Sequence, residues 1–133
     1  MAASLSHLVK DLIGVPFVDD GRDGDGLDCW GLVMLVRARM GRPVADFRCR
    51  CDDTQGIEAI TAQAAHDWRR ADVPQPGDLV AITADPRMPE VVQHFGVYIG
   101  DGRFIHATAR TGVMVARTDD RFWGPRIAGY YRQ

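Results

Sequence analysis

Apolar positions recur along this chain with two different periods. Near the N-terminus, Leu5, Leu8, Val9 and Leu12 fall at i, i+3, i+4 and i+7. That spacing predicts a first helix, with Ser4 or Ser6 near its start and Gly14 and Pro16 ending it. The run from Trp30 to Met40 predicts a second helix of about three turns. Asp28 suits its N-cap and Gly41 its C-terminal cap, with Pro43 just beyond. Ile57, Ile60, Ala64 and Trp68 predict a third helix over residues 55–69, with Asp53 or Thr54 as N-cap. From Val73 the period shortens. Leu79–Thr83, Val91–Ile99, Arg103–Thr108, Val113–Arg117 and Arg126–Tyr131 read as strands. Between them lie a Pro74–Asp78 turn, a loop carrying Pro86 and Pro89, and a turn or short helical piece at Asp119–Gly124.

Helices first and strands afterwards predict an α+β fold, with N-terminal helices packed on a central antiparallel sheet of about five to six strands. The chain of 133 residues suffices for one core, and no linker or repeat divides it, so a single domain over 1–133 is expected. The formal net charge is -2 and the basic residues are scattered. Nucleic acid is therefore not an expected partner. No apolar run approaches a membrane span. The first residues lack a basic head followed by a long apolar stretch. The expectation is a chain made in the cytoplasm without a signal peptide, reaching any external target by another route.

Three cysteines cannot form a closed disulfide set. Cys49 and Cys51 are too close together for a comfortable bridge, and read as ordinary thiols in a polar connection. His66 lies off the apolar face of the third helix. The run from Asp19 to Gly26 is rich in Asp and Gly but fails as a calcium loop. Counting from Asp19 puts Gly21 at the third position and Trp30 where a Glu is needed; counting from Asp23 puts Leu27 at the fifth. It reads as an acidic surface loop bordering the site.

Cys29 holds the first position of the second helix. Unpaired N–H groups and the positive dipole end there favour an anion, so a thiol so placed is a better nucleophile than a buried structural cysteine. His94 and His106 lie on the two arms of a hairpin around Gly100-Asp101-Gly102. A three-residue loop pairs Ile99 with Arg103 and sets His106 opposite Gly96. The two histidines are then diagonal neighbours, about 7–8 Å apart at the backbone. A two-residue loop would place them on opposite faces. Together the residues read as nucleophile (Cys29), general base and acid (His94) and orienting group (His106), with the Cys29 N–H toward an oxyanion. The same three could bind zinc, but no fourth ligand is evident. No metal or cofactor is expected.

Four stretches carry a resemblance: Asp28-Cys29-Trp30-Gly31-Leu32-Val33, Gln75-Pro76-Gly77-Asp78-Leu79-Val80, His94-Phe95-Gly96-Val97-Tyr98-Ile99-Gly100 and Phe104-Ile105-His106-Ala107. In order and spacing they resemble the NlpC-type cysteine peptidases, papain-like enzymes that cut the peptide stems of bacterial cell wall. The resemblance implies the same catalytic set, Cys29, His94 and His106, on a helix packed against an antiparallel sheet. It implies peptidoglycan stem peptide as substrate, cut at the γ-D-glutamyl–diamino acid bond or a neighbouring one. It also implies Phe17, Asp28 and Trp30 as substrate-side residues. Phe17 stands where the family often has a tyrosine, and Trp30 where it commonly has a serine. A compact chain with Trp30 is similar to members carried by phages, prophages and gene-transfer particles. That makes phage-tail proteins expected partners and the particle tail, acting at the wall, the expected location. Two alternatives stand beside this reading: a tail assembly protein that keeps the fold as a binding surface, and an amidase or acyltransferase on another substrate.

Overall fold

The computed structural model describes residues 5–45, 68–88 and 91–133. The predicted third helix lies outside the described residues except at its end, where Trp68 is buried and Arg69 already begins a strand. The N-terminal apolar face forms, but in two pieces: α1 (Leu5–Leu8) and a 3₁₀ turn (Lys10–Leu12). Leu5, Val9 and Leu12 are buried, while Leu8 turns outward. A small hairpin follows, with β1 (Arg22–Asp23) antiparallel to β2 (Gly26–Leu27). Its glycines and aspartates read as a plain loop. Then comes α2 (Cys29–Arg39), capped by Asp28 as expected.

The remaining strands are β3 (Arg69–Ala71), β4 (Leu79–Thr83), β5 (Val92–Gly100), β6 (Arg103–Thr108), β7 (Gly112–Arg117) and β8 (Ile127–Arg132). They form one six-stranded antiparallel sheet in the order β3-β8-β4-β5-β6-β7. The expected α+β architecture is therefore present. Because side chains alternate across a strand, the sheet has two distinct faces. One carries Leu79, Ala81, Phe95, Val97, Ile99, Ile105 and Ala107, packed with Leu32, Val33 and Val36 of α2. Each of those three α2 side chains is fully buried, worth about 1.5–3 kcal/mol apiece. The other face carries a smaller cluster, Val80, Ile82, Tyr98 and Phe104, with Trp123, Ile127 and Tyr130 against it.

Two buried polar anchors fix the ends of this frame. Arg37, on α2, donates to the Gly77 carbonyl (2.9 Å) and lies 5.0 Å over the Trp68 ring. Asp78 takes both arms of Arg132, at 2.9 and 2.6 Å. Together they tie the C-terminal half of α2 and the last strand to the turn that starts β4.

Candidate active site

The thiol end of the site is built from hydrogen bonds. Asp28 Oδ1 accepts from the Gly31 backbone N–H at 2.7 Å and from Arg22 Nη1 at 2.8 Å. Its Oδ2 accepts from the Asp20 N–H at 3.1 Å. One carboxylate thus caps α2 and binds the acidic loop to the helix start. Gly31 permits the approach: a Cβ there would be driven into the Gly21 carbonyl oxygen. Cys29 follows the cap directly, in the first turn, where helix N–H groups lack internal partners. It is 6% exposed.

The imidazole end is built from register and aromatic packing. Gly96 pairs with His106, as the sequence predicts, and so do Val97 with Ile105 and Tyr98 with Phe104. The turn itself differs from expectation. Gly100 pairs with Arg103, leaving a two-residue turn at Asp101 and Gly102, both in the left-handed region (φ 55 and 70). That turn alone would have put the histidines on opposite faces. A bulge between Tyr98 and Gly100 adds the missing residue and restores the alternation. Gly96 is needed at the crossing, since a Cβ there would lie 2.7 Å from the Ile105 oxygen and 3.1 Å from the His106 Cβ.

His94 Nε2 and His106 Nδ1 are 2.9 Å apart, a hydrogen bond between the rings. Trp123 stands edge-on to His106 at 4.5 Å and tilted to His94 at 5.9 Å. Phe104 packs on His106 from another side, at 4.9 Å. Burial holds His94 well below the usual histidine range, and the neighbouring His106 adds to the effect. Burial likewise lowers His106, opposed by the nearby Asp120 carboxylate. Both rings are therefore neutral at pH 7. In the tautomer where His94 donates Nε2–H to His106, the His94 Nδ1 is left as an open base.

Of the expected site residues, the structure brings His94 and His106 into contact. Cys29 stands at the head of α2 and is not among the walls of the cavity beside His94. The three residues expected on the substrate side each have contacts of their own. Trp30 is 2% exposed; its ring meets Phe95 at 5.5 Å inside the core, and its Nε1 donates to the Ala45 carbonyl at 2.8 Å. Asp28 is buried, and both its oxygens are occupied by the contacts above. Phe17 is half-buried, bridged to Leu27 and packed on the larger cluster. Among the described residues, no three His, Cys, Asp or Glu side chains are grouped to hold a metal ion. Sequence reasoning passed over Asp120 and Trp123. Asp120 Oδ2 accepts from the Phe122 and Trp123 N–H groups, at 2.8 and 2.9 Å, and so sets the turn that lays Trp123 on the histidines. The available signal was Asp120 two and three residues before Phe122 and Trp123, since an aspartate side chain commonly accepts from its own backbone a short way on.

The chain belongs to the NlpC/P60 family, whose model matches residues 14–132. It is 31% identical over 134 aligned residues to an Escherichia coli protein named a probable endopeptidase, YafL, covering 95% of this chain and 47% of that one. It is 29% identical over 132 to a Bacillus subtilis protein named a probable peptidoglycan endopeptidase, LytE, covering 97% and 34%. The chain thus spans less than half of either relative. A solved NlpC/P60 family structure from Bacillus cereus has the same fold, with TM-score 0.69, 24% identity, and coverage of 97% of this chain and 39% of that one.

Proposed function

We propose that this chain is a cysteine endopeptidase that hydrolyses the peptide stems of peptidoglycan, at the γ-D-glutamyl–diamino acid bond or a neighbouring one. The observation that carries the reading is the 2.9 Å contact between His94 and His106 in a chain that places Cys29 at a helix start. Family membership and the names of the relatives support the substrate class.

In the proposed reaction, Cys29 Sγ attacks the scissile carbonyl and its proton passes to His94 Nδ1. His106 accepts the His94 Nε2–H and steadies the imidazolium that forms, with the Asp120 charge beyond it. The Cys29 backbone N–H meets the oxyanion at the helix end. His94 then returns the proton to the leaving amine as the C–N bond breaks, leaving a thioester. A water, deprotonated by His94, attacks the thioester, and the thiol leaves. The scheme requires His94 Nδ1 to reach Cys29 Sγ.

The test is incubation of wild type and Cys29→Ala with purified peptidoglycan, read by mass spectrometry. Stem-peptide fragments are expected from wild type and none from the variant. Equal release from both would overturn the reading.

The finer reading is a tail-associated member of the family, supported by the resemblance of a compact chain with Trp30 to particle-borne variants. It predicts the chain in purified phage-like particles of the producing cell, and its absence from such particles would refute that reading alone.

A further inference from the structure

Beside His94 lies a cavity of about 320 Å³, a volume suited to one or two amino-acid residues of a ligand. It is lined by the apolar Ile82 and Ala107, by the polar Thr83, Gln93 and Thr108, and by Arg126. Arg126 is held in place. Its Nε donates to the Ala84 carbonyl at 3.3 Å, its Nη1 to the Phe122 carbonyl at 2.6 Å, and its guanidinium lies 3.8 Å over the Phe122 ring. These contacts leave Nη2 without a hydrogen-bond partner among the described residues. Asp85 is close enough to feel the Arg126 charge, but both its oxygens are already taken by Arg87, at 3.1 and 2.9 Å. A cation that is oriented, stacked and only partly used, lining a cavity that the proposed base also lines, is suited to receive a carboxylate.

We propose that this cavity is a substrate subsite and that Arg126 binds a carboxylate of the peptide residue seated in it. The inference rests on the peptidase reading and adds a specificity determinant to it. The substrate has two candidate carboxylates: the α-carboxyl of the γ-linked D-glutamyl residue and the carboxyl of the diamino acid. Among the described residues, the walls carry no carboxylate and no second cation, and the nearby Asp85 is engaged by Arg87.

The experiment uses three synthetic stem peptides: one with both carboxyls free, one amidated at the D-glutamyl α-carboxyl, and one amidated at the diamino acid. Steady-state kinetics are measured for wild type, Arg126→Gln and Arg126→Lys. Wild type should lose about tenfold to a hundredfold in kcat/KM, mostly through KM, on one amidated peptide. That peptide identifies the carboxylate. Arg126→Gln should lose the same factor on the free peptide and no longer tell the two apart, and Arg126→Lys should recover part of the loss. An Arg126→Gln enzyme that discriminates like wild type would overturn the subsite. Calorimetric titration of the free peptide into Cys29→Ala, with and without Arg126→Gln, separates this failure from failure of the peptidase reading. Binding that needs Arg126, while wild type hydrolyses nothing, keeps the subsite and removes the peptidase. Hydrolysis indifferent to Arg126 does the reverse.

Discussion

The two ends of the candidate site are held by opposite means. At the thiol end, Asp28 gathers Gly31, Arg22 and Asp20 into one charged hydrogen-bond cluster, and the helix start faces an acidic loop. At the imidazole end, one hydrogen bond joins two rings, and the rest is aromatic packing by Phe104 and Trp123. The contrast fits the two tasks that the proposed reaction assigns. A helix start that is to carry a thiolate needs fixed dipoles and donors aimed at negative charge. A base that must be unprotonated in the resting protein needs to be dry, because burial penalises the charged imidazole. His106 then offers a hydrogen-bond acceptor, and Asp120 a more distant negative charge, when the proton arrives.

Each end can be broken by its own change. The largest effect is expected at the thiol end from Gly31→Ala, where the new methyl meets the Gly21 carbonyl. Backbone on both sides leaves little room to yield, so a loss of about 3 kcal/mol is expected, read as a fall in the urea midpoint. An unchanged midpoint would mean that the acidic loop is not locked to the helix. At the imidazole end, His106→Ala should lower kcat on stem peptide by about a hundredfold, the scale of one acid–base partner, with folding retained. His106→Gln, which keeps an acceptor oxygen, should recover part of it. Equal activity in the two variants would assign His106 to packing alone.

A third test separates the ends by pH. The histidines have folded-state pKa values below their unfolded ones, so the unfolded chain binds more protons once pH falls below about 6.5. Their contribution to stability is complete above that value and is lost as pH drops through the acid range. Thermal scans of wild type and the double variant His94→Gln, His106→Gln should diverge in slope between neutral pH and pH about 4.5. Wild type should fall more steeply, and parallel curves would show that the pair is solvated.

Much of this was legible in the sequence, for physical reasons that differ by element. The Asp28 cap, the start of α2 and the bounds of β4 and β6 follow from local chemistry: a side-chain acceptor before an apolar run, and strand-forming residues between turns. The facing of His94 and His106 was legible although the turn was not. Asp101 adopts a left-handed conformation that aspartate tolerates better than most residues, and the bulge at Ile99 compensates for the shorter loop. Net register is set by which residues must be buried, and that pattern is written along the strands. The β1–β2 hairpin was not legible, because its two-residue strands carry no alternation and depend on Asp28 and Phe17 from outside. The direction of Trp30 was not legible for a similar reason. Adjacency to the cysteine in sequence says nothing about direction, and helix geometry turns the indole into the core against Phe95. Arg126 and Trp123 gained their meaning only when β8 and the turn before it folded back beside β5.

The coupling of thiol to imidazole can be read without any substrate. In a chain with Cys49→Ser and Cys51→Ser, Cys29 is the only thiol, and its alkylation by iodoacetamide at neutral pH reports its reactivity. Replacing His94 with Gln should slow that alkylation at least about tenfold while the thiol stays equally reactive in urea-unfolded samples. Equal rates in the folded proteins would show that His94 does not activate Cys29, and the proposed mechanism would fall with that result.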